Sequence, residues 1–278
     1  MTHFIYLVQG QAKLVRNYLH LNDRDNADAI FLTYDKPIEE AIFFPNSTWA
    51  EGRNKLLEHA LLKDRYRYYV FCDDDISFVR GGWGELESRL IELSPSIGVP
   101  IVPATSTKKR TLQRLTYQLF RANDQQLMAF HHDVVMDGIV LPYQTRFDDV
   151  HWWASCQIQE ALTQNFYHKY AIQFNDIEIS NDCSIRYPDT DEGREAFDTH
   201  VHIWLSRQFR SGHRTPSCSK TALPLILART LLLMFFRSFL RGEPSHSVTE
   251  GDCREKLSND SELLRQYLEY TEKHPSER

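Results

Sequence analysis

The sequence predicts an α/β fold built on a mostly parallel mixed sheet flanked by helices. Strand-length apolar runs recur at 4–8 (FIYLV), 29–34 (AIFLTY) and 66–72 (YRYYVFC). Between them lie segments whose apolar residues have helical spacing, and that alternation favours parallel strands joined by crossover helices. At 278 residues, 42% hydrophobic and 25% charged, the chain holds enough apolar mass for one sizeable domain and an appendage.

Taken in order, the FIYLV run has no basic region ahead of it, so it reads as a first strand and not as a signal peptide. A helix is expected from Ala12 to Leu21, and the second strand follows. Asn46-Ser47-Thr48-Trp49 precedes EGRNKLLEHALLK, where Leu56, Leu57, Ala60 and Leu61 fall on one helical face. The third strand runs straight into Asp73-Asp74-Asp75. Gly81, Gly82 and Gly84 mark a loop before a helix over ELESRLIEL. IGVPIVP reads as a short strand, and LMAFHHDVVM (127–136) as a strand of mixed polarity. Residues 1–215 form the expected main domain, by ordinary domain size. After Pro216 the composition changes, and 216–278 reads as a helical appendage.

Composition narrows the function. A net charge of −6 provides no global basic field, so no nucleic-acid partner is expected. Five scattered cysteines (72, 156, 183, 218 and 253) make neither a Cys-x-x-Cys zinc pair nor a dense disulfide framework. A reducing, cytoplasmic setting fits best.

The acidic strand end carries the chemistry. Three consecutive carboxylates after the apolar Tyr69-Val70-Phe71-Cys72 are costly unless something positive sits beside them. On an extended chain Asp73 and Asp75 point the same way and share a ligand, while Asp74 faces elsewhere. In open α/β sheets the ligand crevice lies at the carboxyl ends of strands, where this triplet falls. Carboxylate oxygens suit Mg²⁺ or Mn²⁺, which also bind substrate phosphates. The plainer alternative is a solvated acidic turn or a helix cap.

The triplet resembles the Asp-x-Asp motif of glycosyltransferases with the GT-A fold. Trp49-Ala50-Glu51-Gly52-Arg53-Asn54, ahead of a helix, is similar to the stretch upstream of that motif in many members. The resemblance spans about the first 150 residues in order and spacing. It implies a GT-A-like (Rossmann-like) domain using a nucleotide-sugar donor, with Mn²⁺ or Mg²⁺ held at Asp73 and Asp75. Arg53, Asn54, Asp73 and Asp74 would then lie near the donor. A guanidinium at Arg53 suits two parallel bonds to phosphate; the alternative is an exposed residue paired with Glu51 or Glu58.

Residues 142–153, PYQTRFDDVHWW, suggest the acceptor side. Indole faces of Trp152 and Trp153 stack well on sugar rings, although at least one of them is equally a core filler. In inverting members of the family a carboxylate from this later region takes the acceptor proton. Asp149 is assigned that role, with Asp148 as the alternative. His131 and Asp133 share a face if 127–136 is one strand, so His131 either lines the acceptor cleft or pairs with Asp133. The resemblance also implies a late histidine completing the metal shell, from His200 or His202, which are otherwise solvent-facing.

Residues 223–240 are the most apolar stretch, but Arg229 and Arg237 argue against a span, since each central charge costs about 2.5–3.5 kcal/mol on insertion scales. A peripheral membrane contact, packing on the domain and a dimer contact remain open. Lys108-Lys109-Arg110 reads as a solvated helix face or as a patch for an anionic glycan.

Function follows as an expectation: a glycosyltransferase moving a sugar to a glycan or glycolipid acceptor. A haloacid-dehalogenase-like phosphotransferase matches Asp73 to Ser77 superficially, although that motif belongs on a first strand. A non-catalytic sugar-binding module on the same scaffold is the third reading.

Overall fold

The computed structural model describes residues 3–102, 116–119, 125–145, 148, 154–167 and 170–181. The expected boundary near residue 215 and the stretch 223–240 lie outside them, as do Asp149, Trp152, Trp153, His200 and His202.

The chain opens with β1 (Phe4–Gly10), the short α1 (Ala12–Val15) and a 3₁₀ turn (Arg16–Asp23). Next come β2 (Ala27–Thr33), β3 (Ala41–Phe43), α2 (Trp49–Leu61) and β4 (Tyr68–Asp73). β5 (Ile76–Arg80), α3 (Trp83–Leu93), β6 (Ile97–Ile101) and β7 (Tyr117–Leu119) follow. The described chain ends with β8 (Leu127–His131), α4 (His132–Asp137), α5 (Ala154–Phe166) and β9 (Ala171–Asn181).

All nine strands join one sheet in the order β3-β2-β1-β4-β8-β6-β9-β5, with β7 paired to β9. The β3-β2-β1-β4 run is parallel throughout. Antiparallel pairing enters at β8, and only β5, β7 and β8 run against the other six strands.

Strands β1 and β4 are buried on both faces, as central strands of such sheets must be. Their period-two alternation divides the core. Ile5, Leu7, Tyr69 and Phe71 face the layer built from α2, α4 and α5. Phe4, Tyr6, Val8, Tyr68, Val70 and Cys72 face the layer built from α1, the 3₁₀ turn and α3. Among the described residues no helix is long and apolar enough to cross a membrane.

Two local readings change. The expected strand over 127–136 stops at His131, where α4 begins. The His131 ring accepts from the Asp133 N–H at 3.3 Å, and Gly138 closes the helix with φ of +68°. A side-chain cap followed by a left-handed glycine is a helix signature that outweighs strand alternation here. The Asp triplet is not extended either: Asp73 ends β4, and Asp74 and Asp75 form the turn into β5.

Candidate active site

Register fixes the site. Gln9 sits beside Asp73, and Gly10 beside Thr33, so β1, β2 and β4 end at one level. The acidic triplet therefore stands at the carboxyl edge of the parallel strands.

Helix α2 delivers its first two turns to that edge. Thr48 caps it through a reciprocal box: the Glu51 N–H donates to Thr48 Oγ1 at 3.2 Å, and the Thr48 N–H donates to Glu51 at 2.9 Å. Gln9 Nε2 donates to the Trp49 carbonyl at 3.0 Å. A side chain at Gly52 would place Cβ 2.5 Å from Gln9 Oε1, so the helix approaches β1 closely only because residue 52 is glycine.

Arg53 is fully buried, and its guanidinium donates to Asp73 Oδ1 at 2.7 Å. Its carbon lies 4.1 Å from the centre of the Trp49 ring, with Phe71 and Tyr143 within 5.8 Å. Burial alone would lower the Arg53 pKa, but the charge and hydrogen bond of Asp73, with smaller contributions from Tyr143 and Cys156, together more than offset it and leave the cation above its usual value. Trp49 Nε1 donates to the same carboxylate at 3.0 Å. Glu51 and Glu58 are engaged elsewhere, in the cap and with Lys55, so neither pairs with Arg53. Facing inward, Arg53 supports Asp73 in this structure and offers no fork to a phosphate. Asn54 is engaged as well: its amide donates to the Tyr143 carbonyl at 2.8 Å and accepts from the Tyr143 N–H at 2.7 Å. Its place is that of a clamp on the segment leading to Asp148.

Asp74 folds back beneath β1. Its Oδ2 accepts from the Gln11 N–H at 2.5 Å, and a Cβ on Gly10 would lie 1.9 Å from its carboxyl carbon. Burial, reinforced by Asp73 and Asp75, pushes its pKa up to about 7. The next N–H, of Ala12, donates to Asp35 Oδ1 at 2.7 Å. Two carboxylates thus close the β1–α1 turn. Asp75 is half-buried at the end of the turn, next to β5.

Thr48 also donates through Oγ1 to the buried Asp148. Asp148 therefore joins Asp73 at the amino end of α2, although 75 residues separate them in sequence (148 − 73).

The mixed sheet with helices on both faces is similar to that of a solved structure. GalNAc-T7, solved with UDP, GalNAc and Mn²⁺, matches with a TM-score of 0.50 at 8% identity, over 74% of this chain and 51% of that one. The fold is GT-A-like. The chain spans about half the length of GalNAc-T7. TarS residues 1–349 from S. aureus match with a TM-score of 0.46 at 8% identity, covering 72% of this chain and 64% of that one. A197 from STIV matches with 0.39 at 9% identity, covering 66% and 86%. No known protein family and no curated protein matches the sequence itself.

On this GT-A-like frame the predicted residues separate. Asp73, Asp74, Asp75, Arg53, Asn54 and Asp148 all gather around the ends of β1 and β4 and the start of α2. His131 does not. Because β8 runs antiparallel to β4, His131 lies beside Tyr68 at the opposite edge of the sheet, about 17 Å away at 3.3 Å per residue. There it pairs with Asp133 at 3.4 Å. It cannot line the acceptor cleft, and its strand-based assignment fails with the strand. Gly10, Gln11, Asp35, Thr48, Trp49 and Tyr143 are site residues that the motif search left without roles. A glycine at the end of a buried strand and a Thr-x-x-Glu box were the available signals for two of them.

Proposed function

We propose that this protein is a glycosyltransferase that moves a sugar from a nucleoside-diphosphate-sugar to a glycan or glycolipid acceptor, assisted by a divalent cation. The observation that carries the reading is the gathering of Asp73, Asp74 and Asp75 with the α2 amino end and Asp148 at the carboxyl edge of a GT-A-like sheet. A crevice there is where open α/β sheets take their ligands.

The residues present fit a hard cation. Asp74 is held partly protonated near neutrality by burial and by its two acidic neighbours, a crowding that a cation relieves. Among the described residues no group of three or more His, Cys, Asp or Glu forms a metal cage. Mg²⁺ and Mn²⁺ accept one or two carboxylates plus substrate phosphates, so a full cage is not required. Asp75 and Asp73 are the ligands in this reading, with His200 or His202 as a further one. When bound, the cation neutralises the charge that develops on the departing diphosphate.

In the inverting form of transfer, the bond from the anomeric carbon to the diphosphate oxygen breaks and its electron pair leaves with the nucleotide. The acceptor hydroxyl oxygen bonds to the anomeric carbon, and its proton passes to a carboxylate. That carboxylate is Asp149 in this reading, or Asp148 in its place, with Trp152 and Trp153 stacking on the acceptor sugar. A cytoplasmic location with peripheral membrane contact through 223–240 belongs to the same proposal.

Thermal unfolding with UDP, GDP and dTDP, each with Mn²⁺ or with chelator, tests it. A Mn²⁺-dependent rise with one nucleotide is expected, worth about 2.7 kcal/mol at a hundred times the dissociation constant. No rise with any nucleotide, or an equal rise in chelator, refutes it.

A further inference from the structure

Two adjacent residues hold carboxylates on opposite sides of the site. Thr48 donates through Oγ1 to Asp148, and Trp49 donates through Nε1 to Asp73 at 3.0 Å. Both sit at the amino end of α2, whose backbone is fixed independently. The Thr48–Glu51 box closes the first turn, and Gln9 holds the Trp49 carbonyl. Trp49 is further fixed by Arg53 beneath its ring and by Tyr143 edge-on at 5.1 Å.

We propose that Thr48 and Trp49 form a yoke that sets the separation between the donor-side carboxylate Asp73 and the acceptor-side Asp148. Thr48 is a positioning residue for the acceptor-side acidic pair, and Trp49 is one for Asp73. This rests on the glycosyltransferase reading and adds residues that the acidic motif does not contain. The physical case is that the two carboxylates come from segments 75 residues apart (148 − 73) and each is bonded by a residue of the same helix end. Misplacing one reacting group by about 1 Å costs on the order of a hundredfold in rate. A shared, capped helix end ties both to one rigid element.

Thr48 has two duties, and substitution separates them. As an N-cap it accepts from the Glu51 N–H; as a yoke it donates to Asp148. Serine and asparagine can do both. Aspartate caps as well as asparagine but has no proton to donate and repels Asp148. Valine does neither.

The experiment uses the full chain with a panel of UDP-, GDP- and dTDP-sugars, following nucleoside diphosphate released by transfer to water. Nucleotide affinity is measured separately by calorimetry with UDP, GDP or dTDP and Mn²⁺. Thr48→Asp and Thr48→Val should lower kcat by at least about tenfold, with donor KM and nucleotide affinity within about twofold. Thr48→Ser and Thr48→Asn should stay within about threefold in kcat. Trp49→Phe keeps the ring over Arg53 but loses the donor to Asp73, and should weaken nucleotide·Mn²⁺ binding instead. Equal kcat for Thr48→Asp and the unsubstituted chain overturns the yoke while leaving the glycosyltransferase reading intact. So does a kcat loss in all four Thr48 variants that follows only their loss of Tm. If the unsubstituted chain binds no nucleotide and releases none, the glycosyltransferase reading fails and the yoke fails with it.

Discussion

Replacing Asp73 separates its structural duty from its chemical one. Arg53 has no exposed surface, and among the described residues its charged partner is Asp73 at 2.7 Å. Removing one member of a buried ion pair leaves an uncompensated charge and costs about 3–5 kcal/mol. Asp73→Asn keeps an oxygen that can accept from Arg53, so the lower end applies, about 3 kcal/mol; Asp73→Ala belongs at the upper end. Relief of crowding with Asp74 and Asp75 returns a few tenths of a kcal/mol, the size of other close like-charge pairs. For a domain of this size 1 kcal/mol moves Tm by about 2–4 °C, so Asp73→Asn should lower it by about 6–12 °C. Urea unfolding of Asp73→Asn, with Arg53→Met and the double variant closing a cycle, makes the measurement. Arg53→Met removes the buried cation, so adding it to Asp73→Asn should recover part of the loss. An Asp73→Asn protein within 1 kcal/mol of the original would refute the buried pair.

Gly10→Ala places a Cβ inside the Asp74 carboxyl, so Asp74 must leave the Gln11 N–H; a loss of about 1–3 kcal/mol by urea unfolding is expected, and an unchanged protein would refute the contact. Asn54→Ala leaves the Tyr143 N–H and carbonyl without their partner and should cost about 2–3 kcal/mol, again by urea unfolding; a cost below 0.5 would show the clamp to be dispensable. Burial, with smaller pushes from Arg67, His132 and Arg65 against the pull of Asp133, lowers the His131 pKa to about 4. Its folded pKa lies below the unfolded value near 6.5, so stability is complete above pH 6.5 and falls as the pH drops toward 4, by about 2–3 kcal/mol. His131→Asn keeps a good cap without a titrating ring, so its unfolding free energy should change less between pH 7 and pH 4.5; an equal change would refute the assignment.

Much of the parallel half of the fold was legible because its signals are local. β1, β2 and β4 are uninterrupted apolar runs, and α2 carries both a cap and a periodic face. What escaped was short or amphipathic. β3 has three residues, and β5 has an exposed Val79 and an exposed Arg80, so neither stands out from a loop. The last described strand, β9, alternates apolar and polar residues over 172–175 and again, out of phase, over 177–180, and it is buried on both faces where it meets β6 and β7 but alternates in burial where it pairs with β5. Its two halves answer to different neighbours, and no single period describes it.

The site was legible in its residue types and not in their directions. Sequence placed Asp73, Arg53, Asn54 and Asp148 among the functional residues, and the fold gathers them, but each is engaged by a partner within the protein. Arg53 is spent on Asp73, Asn54 on the backbone of Tyr143, and Asp148 accepts from the hydroxyl that caps α2. Spacing cannot reveal this, because each partner lies 20 to 100 residues away in sequence. The alternation argument for Asp73 and Asp75 failed for a related reason: it assumes an extended chain, and the turn begins one residue after Asp73. What replaces it is a division of labour by burial. Asp73 is neutralised from below by Arg53, Asp74 is turned under β1, and Asp75 completes the turn, half-buried.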